Sequence, residues 1–155
     1  MTVTAAAVKA AALRVGFDLV GITDVSPTTH ASHYRAWLDA GYHGSMEYLA
    51  REDAVARRLD INSAFPELRS AVVVALEYCN DTAPASDAPS RGIIAQYARG
   101  RDYHKVVKKR LLELLREVEA LAGHALPLAR ASVDTAPVLE RDLAQRAGLG
   151  WFGRN

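Results

Sequence analysis

The sequence predicts an α/β domain, with α+β as the alternative, built as a central mixed sheet flanked by helices. Three observations lead there. The run AVVVAL at 71–76 carries no charge and suits a strand covered on both faces. A second apolar stretch, FDLVGITDV at 17–25, lies between helical segments and ends at the breaker pair Ser26-Pro27. Val107, Leu111, Leu114, Val118 and Leu121 step by four, three, four and three, the buried stripe of a long helix. The 155 residues suffice for one core and show no repeat, so residues 1–155 are read as one domain.

Each element has its own signal. Residues 4–15 have helical spacing, with Ala7, Ala11, Leu13 and Val15 on one face and Gly16 as a C-terminal stop. The first strand follows over 17–25. A helix is predicted over 30–44, where Tyr34, Trp37 and Leu38 fall at i, i+3 and i+4, and Gly41 and Gly44 punctuate its end. Residues 45–59 read as a further helix with Ser45 as N-cap. The second strand occupies 71–78. Residues 79–92, rich in Asp, Ala, Pro and Ser, read as an exposed loop. Asp102 caps a helix over 103–122, and LPLARASVD at 126–134 is a third strand candidate. The last helix is placed at 135–148, with Thr135 or Ala136 at its cap and Pro137 in its first turn.

Composition excludes several classes. Net charge is +1, so bulk charge does not make the chain a polyanion binder. The longest apolar run is far too short to span a bilayer, and Lys9 interrupts the Ala-rich N-terminus where a signal peptide would be continuous. The single cysteine, Cys79, excludes a disulfide framework and any multi-thiolate metal site within this chain. A cytoplasmic monomer with no membrane contact is the expectation.

Chemistry concentrates in three places. Residues 97–116 hold Arg99, Arg101, Lys105, Lys108, Lys109, Arg110 and Arg116 against Asp102 and Glu113, an excess of five, so the remainder carries −4. A solvated helix face accounts for the lysines as well as a phosphate-binding ridge does. Arg99 and Arg101 flank Gly100 beside Tyr97 and Tyr103, and forked guanidinium groups beside aromatic rings suit a planar or phosphorylated ligand. His104 reads more simply as a hydrogen-bonding side chain than as a metal ligand. In SVDTAPVLERD, Asp134 is either a cap or a carboxyl acid at a strand tip, where α/β ligands gather. Arg141 in the same segment is equally a surface cation or a ligand contact. In GLGWFGRN, glycines surround Trp151 and Phe152, an exposed aromatic pair against which something is expected to pack.

YARGRDYHKVVKKRL, VDTAPVLERDLAQRAGLGWFGRN and GYHGSMEYLARE followed by RRLD resemble the N-terminal domain of epoxyqueuosine reductases, in order and over nearly the whole chain. That family shares its cobalamin-binding core with reductive dehalogenases and reduces epoxyqueuosine to queuosine in tRNA, using cobalamin and two [4Fe–4S] clusters. The resemblance implies that Asp134 is the proton donor and that Arg58, Tyr97, Arg99, Tyr103 and His104 line the cobalamin. It implies tRNA contacts for Arg141, and Lys105 extends them along the basic ridge. Cobalt lacks a protein histidine ligand in this family. Val107 standing where an Asp-x-His-x-x-Gly motif needs glycine agrees with that. The family's iron–sulfur module carries eight cysteines and is absent from this chain, so the clusters belong to a missing or separate module and the chain alone is expected to be inactive. The alternatives are a non-catalytic cobalamin- or tRNA-binding module, a degenerate remnant, and a reductive dehalogenase-like domain.

Overall fold

The structure, a computed structural model, describes residues 2–79, 92 and 94–153. Helix α1 (Ala5–Val15) leads into strand β1 (Leu19–Asp24). Helices α2 (Ala31–Asp39) and α3 (Glu52–Leu59) follow, then strand β2 (Ser70–Ala75), helix α4 (Tyr103–Ala122) and helix α5 (Glu140–Arg146). The α/β expectation holds, but the sheet is smaller than foreseen. Among the described residues it is an antiparallel pair, in register from Leu19 opposite Ala75 to Asp24 opposite Ser70.

Side chains alternate across the pair. Val20 and Val74 turn toward α1 and α4 and pack on a cluster of Ala11, Ala12, Phe17 and Leu114. Gly21 turns the other way, toward α5. A Cβ there would lie 2.4 Å from the Ala147 carbonyl oxygen, so the end of α5 reaches the sheet only over a residue without a side chain. Helices therefore cover both faces, as the uncharged run predicted.

Local rules explain the helices. Thr4 accepts the Ala7 amide at 3.2 Å, and Gly16 closes α1 at φ 98°. Ala11 and Ala12 are fully buried because small residues let α1 approach α4, whereas Leu13 points outward, against the face predicted for it. Asp102 accepts the His104 amide at 3.0 Å and opens α4 where predicted, and all five residues of its stripe pack on the core.

Three expectations need correction. Residues 126–134 are not a strand. Pro127 removes a ladder donor, and an Ala129-to-Leu126 bond of 3.0 Å turns the chain there. Residues 45–59 do not form one helix capped by Ser45. A 3₁₀ turn at Glu47–Leu49 is followed by Arg51 in extended backbone (φ −60°, ψ 134°), and α3 begins only at Glu52. The last helix starts at Glu140, not near Thr135, because residues 133–138 are spent on tight turns. Most of the predicted loop 79–92 lies outside the described residues. No described helix is long and apolar enough to cross a membrane.

Candidate active site

The site is organised around an unusual turn. Asp134 has φ +53°, and it is the one non-glycine residue in the left-handed region among those described. The Thr135 amide donates to the Val133 carbonyl at 2.6 Å, closing a three-residue turn centred on Asp134. This is the positive-φ γ-turn, which is rare and strained. A residue held so costs about 1–3 kcal/mol and persists only where its surroundings enforce it. Two partners do so here. The Tyr103 hydroxyl donates to the Asp134 carboxylate, and the Asp134 amide donates to Glu140 Oε1 at 2.9 Å. Tyr103 is available because the Asp102 cap places it in the first turn of α4.

Tyr103 joins the remaining aromatic residues. Its ring meets Tyr97 edge-on at 6.0 Å, Tyr97 meets Tyr78 edge-on at 6.2 Å, and His104 stacks on Tyr103 at 4.1 Å. His104 Nδ1 lies 2.9 Å from Asp102 Oδ1, the hydrogen-bonding role expected of it. The hydrogen bond to Asp134, ahead of burial, pushes the Tyr103 phenol up to about 12, so it is a neutral donor at physiological pH. The Asp102 carboxyl is held low, chiefly by His104. Asp134, Tyr97, Tyr103 and His104 thus form one cluster, thirty-odd positions apart in sequence. Asp134 reaches it from a turn rather than from a strand tip.

Arg58 and Asp134 line a common groove. An open groove of about 430 Å³ is lined by Tyr48, Arg51, Arg57, Arg58, Asp134 and Pro137 among others, within the size range of small-molecule sites. Arg58 is half-buried at the end of α3, donates to the Ala54 carbonyl at 3.3 Å and lies beside the Tyr34 phenol. Arg99 donates through Nε to the Ile94 carbonyl at 2.7 Å, next to the aromatic cluster. Lys105 is exposed on α4, and the Arg141 guanidinium sits 5.7 Å from the centroid of the Phe152 ring. Phe152 packs edge-on against His30 at 5.0 Å, whereas Trp151 is 87% exposed.

Sequence reasoning missed a polar lock beside this site. Asp142 is 3% exposed. It accepts from Thr28 at 2.8 Å and from Arg146 at 3.2 Å, and His30 Nδ1 lies 2.7 Å away. Arg146 also reaches Asp24 Oδ1 at 2.5 Å and the Ser26 carbonyl at 2.9 Å. Burial pushes the Asp142 carboxyl up, but the bonds from His30, Thr28 and Arg146 outweigh it and hold it below the usual range. The i, i+4 spacing of Asp142 and Arg146 was the available signal. Glu140 was also missed, hidden in LERD behind Arg141.

A family sequence model described as "Epoxyqueuosine reductase QueG, DUF1730" matches residues 58–135. The epoxyqueuosine reductase of Pseudomonas aeruginosa is 40% identical over 145 residues, covering 91% of this chain and 39% of the relative. That of Gloeobacter violaceus is 43% identical over 157 residues, covering 100% of this chain and 47% of the relative. The structure of epoxyqueuosine reductase from Streptococcus thermophilus superposes with a TM-score of 0.75 at 21% identity, over 94% of this chain and 39% of that one. An epoxyqueuosine reductase solved with a tRNA-Tyr epoxyqueuosine-modified stem loop gives 0.74 at 25% identity, over 93% and 38%. The chain thus spans less than half the length of these relatives.

Proposed function

Because this chain belongs to the epoxyqueuosine reductase family, we propose that it forms the cobalamin- and substrate-binding part of an enzyme that reduces epoxyqueuosine to queuosine in tRNA, the last step of queuosine biosynthesis. The observation that carries this reading is the Asp134 carboxyl at the edge of a guanidinium-lined groove, hydrogen-bonded by a neutral tyrosine.

The lining suits a corrin's periphery. Arg57 and Arg58 present donors beside the Arg51–Asp53 ion pair, whereas the amide arms of cobalamin present acceptors, and the Tyr48 ring offers an aromatic wall. These residues, with Arg99 and with Tyr97, Tyr103 and His104 of the aromatic cluster joined to Asp134, would hold the cofactor. Bound cobalamin would supply a low-potential cobalt centre for the reduction. Removing the epoxide oxygen as water consumes two electrons and two protons. Asp134, protonated on the oxygen that Tyr103 does not hold, would deliver one proton to the departing oxygen, solvent would supply the other, and Tyr103 would hold the carboxyl toward the substrate.

The iron–sulfur clusters do not fit this chain. Cys79 is its one cysteine, and a [4Fe–4S] cluster takes four thiolates. Electron delivery is therefore assigned to a separate module, and the chain alone would bind without turnover. The basic ridge of α4, including Lys105, together with Arg141, would contact tRNA phosphates, a reading supported by the stem-loop complex of a structural relative. A tRNA substrate would put this work in the cytoplasm.

In the intact enzyme, Asp134→Asn should abolish deoxygenation while the visible spectrum of bound cobalamin stays as in the wild type. Turnover by the variant at the wild-type rate would refute the acid role.

A further inference from the structure

We infer that Glu140 is a positioning residue for Asp134, its carboxyl group holding the Asp134 amide so that the γ-turn presents the reactive carboxyl to the groove. The inference rests on the reading of Asp134 as proton donor and deepens it. Three observations meet at this point. Asp134 alone among described non-glycine residues has a left-handed φ, and its turn is closed by the 2.6 Å bond from Thr135 to Val133. The amide of that same residue is taken by Glu140 Oε1 at 2.9 Å, six positions on and already in α5. Tyr103 holds the other end of the residue, its carboxylate. Asp134 is thereby fixed at main chain and side chain by two different helices.

The position of Glu140 suits the task. It is half-buried, unlike exposed Asp134 and Thr135. Its own element is fastened through Asp142 and Arg146 to the loop after β1, so the acceptor is attached to a rigid part of the fold. Burial pushes the Glu140 carboxyl up, the bond from the Asp134 amide pulls it down, and the charge and hydrogen bonding of the adjoining Asp134 carboxyl push it up again. The role needs an acceptor oxygen and not a charge, so a glutamine side chain can fill it.

The experiment uses the intact, cobalamin-loaded enzyme labelled with [ζ-¹³C]tyrosine. The Tyr103 signal is assigned by its absence in Tyr103→Phe, and its displacement in Asp134→Ala sets the scale for a lost Tyr103–Asp134 contact. Glu140→Ala should lower kcat about tenfold to a hundredfold with KM for tRNA within twofold of wild type, as expected for a misplaced reacting group. It should also move the Tyr103 signal at least half as far as Asp134→Ala does. Glu140→Gln should recover most of the rate and leave the signal near its wild-type position.

Wild-type turnover in Glu140→Ala, or equal losses in the Ala and Gln variants, would overturn the proposal. Should Glu140→Ala fail to fold, Gln against Asp decides. The amide keeps the acceptor at full reach, the shorter acid withdraws it, and equal rates refute the role. If Asp134→Asn retains turnover, the acid assignment itself fails. If Asp134→Asn is dead while Glu140→Ala is active, only the role of Glu140 falls.

Discussion

Tyr103 and Asp134 stand thirty-one positions apart in sequence, and the hydroxyl of the first donates to the carboxylate of the second. This bond ties the first turn of α4 to the γ-turn ahead of α5. The carboxylate keeps the phenol protonated, and the phenol aims the carboxylate.

The proton held by Tyr103 gives a titration test. Its pKa is raised to about 12, mainly by the hydrogen bond to Asp134. An ordinary tyrosine ionises near pH 10. The favourable bond is therefore fully present below about pH 10 and is lost as pH rises through about 12. The Tyr103 signal in a tyrosine ¹³C titration should lag the other tyrosines. In Asp134→Asn it should return toward the ordinary value.

Gly21→Ala should destabilise the fold. The added methyl would meet the main-chain oxygen and Cβ of Ala147 at 2.4 and 2.7 Å, and main chain at a helix end yields less than a flexible side chain. Overpacking of this kind costs about 1–3 kcal/mol. A lower urea midpoint with an unchanged m-value would register it.

Asp142→Ala should cost about 3 kcal/mol, because it leaves Arg146 paired to Asp24 alone among its carboxylate partners and empties a buried acceptor site. Acid should act in the same direction. Asp142 is held below the usual carboxylate range, and Asp24 lies at about 2, chiefly through the Ser26 hydroxyl and amide. A depressed folded-state pKa means that the contribution is full above about pH 4 and fades as pH falls through the folded value. Urea midpoints should therefore drop from pH 5 to pH 2 in the wild type, and by less in Asp142→Ala.

The α4 ridge can be read from salt dependence. In the intact enzyme, replacing Lys105, Lys108 and Lys109 by alanine should weaken binding of a tRNA stem loop. The log–log salt slope should flatten by about 0.7–0.9 for each phosphate contact removed. An unchanged slope would leave the lysines as a solvated helix face.

Much of this could be read in the sequence where a local rule dominates. The Asp102 cap, the Gly16 stop and the five-residue stripe of α4 each depend on neighbours within a turn or two, and each stands where predicted. The third strand and the long last helix failed because Pro127 and the turns at 133–138 override apolar patterning. The cluster of Asp134 with Tyr97, Tyr103 and His104 was legible through motif resemblance, not through periodicity. Glu140 and the Asp142 lock were not. Their partners lie on separate elements, and an acid in a first helical turn looks the same whether it is solvated or committed.

Among the described residues, the two-stranded ladder leaves each strand with one lateral side that no other strand covers. In β2 that side belongs to SAVVVA, which has no charge or proline to discourage pairing with another chain. Anyone purifying this segment by itself should meet concentration-dependent association, visible as rising light scatter. A lysine at Val72, already 39% exposed, is the gatekeeper most compatible with the fold.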